Sequence, residues 1–208
     1  MVTPGDSRAL SAVPDRLLDA AEALLARGGS AALSVRTVLA SADVANASAV
    51  GYYFGNRAGL IDAVERRSVE RVELARLEAL ERLQADSSDL TVDQLVTAWM
   101  APIVRLRGGG RGALSARVYT RIFEQPQEKW GENGAHRVLE VTDRFIDAAR
   151  PLLPASDHAD LLWRYQCVTS QAAWYVLGYL DMFADPDEDQ IEQDLARLVA
   201  SGAASLMS

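Results

Sequence analysis

The chain has 208 residues, 21 basic and 29 acidic side chains, a formal net charge of −8, and 49% hydrophobic residues without an uninterrupted apolar run of membrane length. These values fit a soluble chain with a sizeable core and exclude a membrane-spanning helix and a uniformly basic nucleic-acid binder. The opening residues, MVTPGDSRALSAVP, lack the charged start and apolar stretch of a secretory signal, and the single cysteine, Cys167, excludes an intrachain disulfide, so a cytoplasmic protein is expected.

The charge is unevenly placed. Residues 1–72 hold eight arginines and eight acidic residues, so the whole deficit lies in the remainder, and between Arg27 and Arg57 the only acid is Asp43. An acidic second domain would repel DNA and confine any contact to the first.

Residues 1–12, rich in Gly, Ser, Pro and Ala, are expected to form a disordered tail, with Arg8 either an arm for a minor groove or part of a frayed end. Pro14 suits a first helical position, and Leu17, Leu18, Ala21, Leu24 and Leu25 make an apolar stripe that ends at Gly28-Gly29. Ser34 can cap a short helix with Val35, Val38 and Leu39 on one face and Arg36 and Thr37 turned away. Ala42-Asp43-Val44 then forms a sharp corner. A second short helix starts near Asn46 or Ser48 and runs to Phe54, exposing Asn46, Ser48, Tyr52 and Tyr53, while Ala47, Ala49 and Gly51 are small enough for close approach to a partner. Hydroxyls and an amide on such a face can bind phosphates or read base edges. This is the chemistry of a helix-turn-helix.

Asn56 caps the next helix, which carries Arg57 in its first turn and runs to about Leu83, long enough to belong to both domains. Thr91 and Gln94 have capping-box spacing ahead of a helix to about Arg107 with a kink at Pro102. Helices follow over 112–125 and 135–150, with Gly108-Gly109-Gly110 and residues 127–134 irregular. Ser156 can cap a helix over 157–183, followed by Asp185-Pro186 and a last helix from Asp187, with Gln190 three further on, to about Leu206. The former has apolar residues on more than one face, so the two helices are expected to build a two-fold four-helix dimer interface, with Gly178, Gly202 and Ala203 permitting close approach. A core helix of a monomer is the alternative.

Ser34-Val35-Arg36, Val44, Tyr52-Tyr53-Phe54-Gly55-Asn56-Arg57 and Leu60, preceded by RLLDAAEALLARGG, resemble the DNA-binding domain of TetR-family transcriptional regulators over residues 14–65. One residue more than the commonest family pattern lies between Val44 and Phe54. The resemblance implies base reading by Arg36, with Ser34 and Thr37 on the same helix, phosphate contacts by Tyr52, Tyr53 and Arg57, and Asn46, Ala47 and Ser48 at the start of the recognition helix; the alternatives are a solvated arginine at Arg36 and a half-buried aromatic at Tyr53. It also implies a homodimer on a double-stranded operator, with repression relieved by a small-molecule effector.

The expected architecture is all-α: a helix-turn-helix domain over 13–60 and an effector-binding and dimerisation domain over 61–208. Trp99, Met100, Tyr119, Phe123, Trp163 and Trp174 could line an apolar cavity, or serve as core packing. Arg117 or Arg121 could pair with an anionic effector, or lie on the surface. Two lone histidines, His136 and His158, provide no metal pattern, no cofactor is implied, and Gly108-Gly109-Gly110 lacks the context of a phosphate loop. A helical carrier or enzyme without DNA binding is the rival, and would not require the capped helix pair.

Overall fold

A computed structural model describes residues 4–86, 89–108, 110–122, 132–153, 158–178 and 186–207, and among these every regular element is helical. Nine α-helices follow in order: α1 (Pro4–Gly28), α2 (Val35–Ser41), α3 (Ala49–Phe54), α4 (Arg57–Asp86), α5 (Val92–Arg105), α6 (Gly110–Ile122), α7 (Glu132–Ala149), α8 (His158–Leu177) and α9 (Glu188–Met207). Short 3₁₀ turns precede α2 and follow α5 and α7.

Two hydrophobic cores share α4. The smaller is built from Leu17, Ala21 and Leu25 of α1, Leu33, Val38 of α2, Ala49 and Val50 of α3, and Leu60 and Val64 of α4. Burying each Val or Leu fully contributes about 1.5–3 kcal/mol. The larger core takes Val69, Val72 and Leu80 from α4 and continues through α5 to α9. Val118 of α6 joins the smaller core, so α6 is the second element, after α4, that touches both.

Local signals account for most of the boundaries. Ser34 and Thr37 form a reciprocal capping box at α2, as Thr91 and Gln94 do at α5. The Asn56 side chain accepts from the Gly59 amide at 3.0 Å to start α4, and Asp187 accepts from the Gln190 amide at 2.8 Å to start α9. Gly55 ends α3 at φ 75, a left-handed conformation that a Cβ would strain.

Several expectations need correction. Helix α1 begins at Pro4, where a disordered tail was expected, and Pro14 lies inside it. Ala9, Leu10 and Ala12 favour the helical backbone, and a proline there forfeits one intrahelical hydrogen bond. Helix α7 starts at Glu132, within the stretch expected to be irregular. Gly202 faces inward: a Cβ there would meet Met100 Cε and Val96 Cγ1 at 2.9 Å, and Ala203 is buried as well. Their small size lets α9 lie against α5 within the domain. Gly178, at φ 76, ends α8, with its amide donating to the Tyr175 carbonyl at 3.0 Å. The proposed cap Ser156 and residues 179–183 lie outside the described residues.

Candidate nucleic-acid interface

Helix α2 presents Arg36 to solvent with no hydrogen bond or ion pair to any described residue. Ser34 and Thr37 are also exposed but engage each other: the Thr37 amide donates to Ser34 Oγ at 3.1 Å and the Ser34 amide to Thr37 Oγ1 at 2.9 Å. They hold the first turn that aims Arg36.

The turn depends on a residue in an unusual conformation. Asp43 has φ 51, which few non-glycine side chains tolerate. Arg16, on α1, grips this corner: Nε donates to the Ala42 carbonyl at 2.9 Å, and Nη2 reaches the carbonyls of Ala42 and Asp43. The Asp43 carboxylate lies 3.7 Å from the same guanidinium. Sequence reasoning missed Arg16, because its partners are backbone atoms more than twenty residues away.

Asn46, Ala47 and Ser48 stand just ahead of α3, which begins at Ala49 with Ser48 in the N-cap position. Asn46 Oδ1 accepts from the Ser48 amide at 2.9 Å, closing a local turn, and all three residues are exposed. Tyr52 is 82% exposed, whereas Tyr53 is half-buried against the small core, with the two rings edge to face at 4.9 Å. Gly59 lets the first turn of α4 press on the end of α3, since a Cβ there would occupy the position of the Phe54 carbonyl oxygen.

Arg57 is committed to the fold through two of its nitrogens. Its Nε donates to the Leu33 carbonyl at 2.7 Å and its Nη2 to that of Ser30. Arginines thus clamp the backbone on both sides of α2, and Arg36 between them is left to face outward. A phosphate contact from Arg57 would fall to its remaining N–H groups.

Among the described residues, those considered for an effector divide between the core and the surface. Trp99, Met100 and Tyr119 are buried in the large core, Arg117 and Arg121 are half-buried on α6, and Phe123 lies outside the described residues. Trp163 and Trp174 are 69% and 56% exposed on the outer side of α8. A surface groove of about 540 Å³ between α4 and α5, with Glu78, Arg82, Thr97 and Pro102 in its walls, is lined by none of them. Near Trp99, however, α4 buries an ion pair that the sequence reading overlooked, Glu73 with Arg76, against Tyr119 of α6. Burial pushes the Tyr119 hydroxyl well above its ordinary pKa and that of Tyr165 up to about 12, so both stay protonated at neutral pH.

Residues 17–64 match the family model described as bacterial regulatory proteins of the tetR family, and residues 97–205 match the tetracyclin repressor-like C-terminal domain. The chain belongs to the TetR family. Transcriptional regulation is therefore its class of function, and the helix-turn-helix is its DNA-binding unit. Solved structures share the fold. A regulatory protein of the tetR family from Rhodococcus RHA1 is 19% identical with TM-score 0.67, covering 94% of this chain and 97% of its own. A transcriptional regulator of the family from Vibrio parahaemolyticus is 18% identical with TM-score 0.61, over 94% and 98%. The multidrug binding protein EbrR, solved with malachite green, is 20% identical with TM-score 0.55, over 89% and 96%. No curated protein matches the chain in sequence. Among the described residues no helix is long and apolar enough to cross a membrane, and no group of three or more His, Cys, Asp or Glu could hold a metal ion.

Proposed function

We propose that this TetR-family chain is a cytoplasmic, non-enzymatic, homodimeric repressor that binds a palindromic operator and leaves it when a small molecule enters the helical domain. The observation that carries the reading is the outward face of α2 and the α3 turn: Arg36 unpaired, Asn46, Ala47 and Ser48 exposed, and Tyr52 projecting beside them. A core or carrier function gives no reason to pin a short helix with two arginines and leave a third bare. Bidentate contact from Arg36 to a guanine discriminates bases by about 1–3 kcal/mol.

One such unit in a chain of net charge −8 binds weakly, and a dimer doubles it. Support for dimerisation comes from the outer side of α8 and α9, where Leu162, Trp163, Trp174 and Met207 are exposed and Ala196, Ala200 and Ala204 repeat at four-residue spacing. Two copies joined there would offer their α3 helices to successive major grooves, about 34–36 Å apart.

The test is fluorescence anisotropy with the gene's own upstream DNA and a random duplex pool at two salt concentrations. A sequence-preferring complex that weakens with salt is expected, and Arg36→Ala should relax one position in each half-site. Binding without sequence preference, or no binding, removes the regulator reading, and a monomer mass by light scattering at micromolar concentration removes the dimer.

A further inference from the structure

Glu73 and Arg76 lie three residues apart on α4 with side chains 0% and 1% exposed. Glu73 Oε1 accepts from Arg76 Nη1 at 3.1 Å and from the Tyr119 hydroxyl. Arg76 Nη1 also donates to the Tyr119 oxygen at 2.6 Å, and Nε to the Trp99 carbonyl at 3.1 Å. The other half of each group is unsupplied: Glu73 Oε2 and Arg76 Nη2 are buried with no hydrogen-bond partner among the described residues. Leaving a buried polar atom unmet is costly, more so when it is charged, and here an acceptor and a donor are both left over from one ion pair.

The surroundings limit what can meet them. The guanidinium carbon of Arg76 lies 4.0 Å from the Trp99 ring centroid, so an internal cation already holds the aromatic face that a lipophilic cation would seek. Phe145 and Tyr165 pack on Trp99 with centroids 4.7 and 4.9 Å away, presenting ring surface beside the pair. The two side chains neutralise each other, Tyr119 and Tyr165 keep their protons, and Arg137, the further cation acting on Glu73, is paired with Glu140 at 2.9 Å. Among the described residues no fixed charge there remains to balance a charged guest.

We propose that the Glu73–Arg76 pair is the polar contact of the effector site and takes an uncharged, planar molecule that offers one donor to Glu73 Oε2 and one acceptor to Arg76 Nη2. A carboxamide or lactam on an aromatic ring has this chemistry. The inference rests on the reading of the chain as an effector-controlled regulator.

The experiment titrates the purified full chain with benzamide, benzoate and benzylamine, one ring in three charge states, followed by tryptophan fluorescence and thermal midpoint. Saturable binding of benzamide is expected, about tenfold tighter than the other two. Benzoate or benzylamine binding as tightly, or no saturable binding of any, overturns the proposal. Glu73→Gln leaves Arg76 uncompensated, so preference should pass to benzoate; a pair that only supports the fold would leave the order unchanged. If that variant does not fold, the native titration decides alone. Operator binding measured on the same preparation separates the two claims, because sequence-preferring DNA binding without benzamide binding removes the ligand class and leaves the regulator standing.

Discussion

Glu22 on α1 and Glu73 on α4 are both almost fully buried, and both face a hydroxyl on α6, yet their carboxylates are supplied very differently. At Glu22 both oxygens are met: Oε2 accepts from Arg67 Nη2 at 2.6 Å, and Oε1 from the hydroxyls of Ser68, at 3.3 Å, and Ser115, with Arg71 Nη1 at 3.6 Å. At Glu73 one oxygen is met and the other is not. A saturated carboxylate makes a joint, and this one ties α1 to α4 and α6 where the DNA-binding domain meets the helical domain. The half-supplied pair lies farther along the same α4–α6 seam, since Ser115 and Tyr119 are one turn apart on α6. A ligand that draws Glu73 or Arg76 away from Tyr119 would therefore act one helical turn from the joint that holds α1.

The largest expected effect breaks the saturated member. Glu22→Ala leaves Arg67 with Asp19 alone and Arg71 with the Ser115 hydroxyl alone, and should destabilise the fold by about 3 kcal/mol, the lower end for breaking a buried pair because water reaches both arginines. Urea denaturation reads this directly; a loss under 1 kcal/mol would mean that Glu22 is no joint. A smaller effect sharpens the same contrast in the DNA-binding domain, where Arg16 is supplied and Arg36 is not. Arg16→Ala should cost about 1–2 kcal/mol by releasing the carbonyls of Ala42 and Asp43, whereas Arg36→Ala should leave stability within about 0.5 kcal/mol. Equal urea midpoints for the two variants would refute the distinction between clamp and reader.

What was legible in the sequence was local. Ser34, Asn56, Thr91 with Gln94, and Asp187 sit within three residues of the amides they cap, so their spacing alone placed four helix starts. The small core was legible from the stripes on α1 and α2. Long-range choices were not. Nothing near Arg16 or Arg57 in sequence reveals that their targets are carbonyls across the fold, and Glu73 with Arg76 has the spacing of an ordinary solvated pair on a charged helix. Gly202 read as a contact between subunits because a small residue on an amphipathic helix does not say which neighbour it admits. The aromatic set divided for the same reason, with Trp99 and Tyr119 inward and Trp163 and Trp174 outward.

The smallest effect expected is a pH slope rather than an offset. Burial raises the Glu73 carboxyl above its ordinary 4.5, outweighing the opposite pull of Arg76 and Tyr119. Between 4.5 and the raised value the folded chain then holds a proton that the unfolded chain has released, so the contribution of Glu73 to stability falls as pH rises through that window. Other carboxylates titrate nearby, but Glu73→Gln removes this one alone. The difference in urea stability between native chain and variant should shift in favour of the native chain as pH is lowered from 7 toward 5. A difference that stays flat, or moves the other way, would show that Glu73 is ionised throughout and is better supplied than its bare oxygen implies, and the contrast with Glu22 would close.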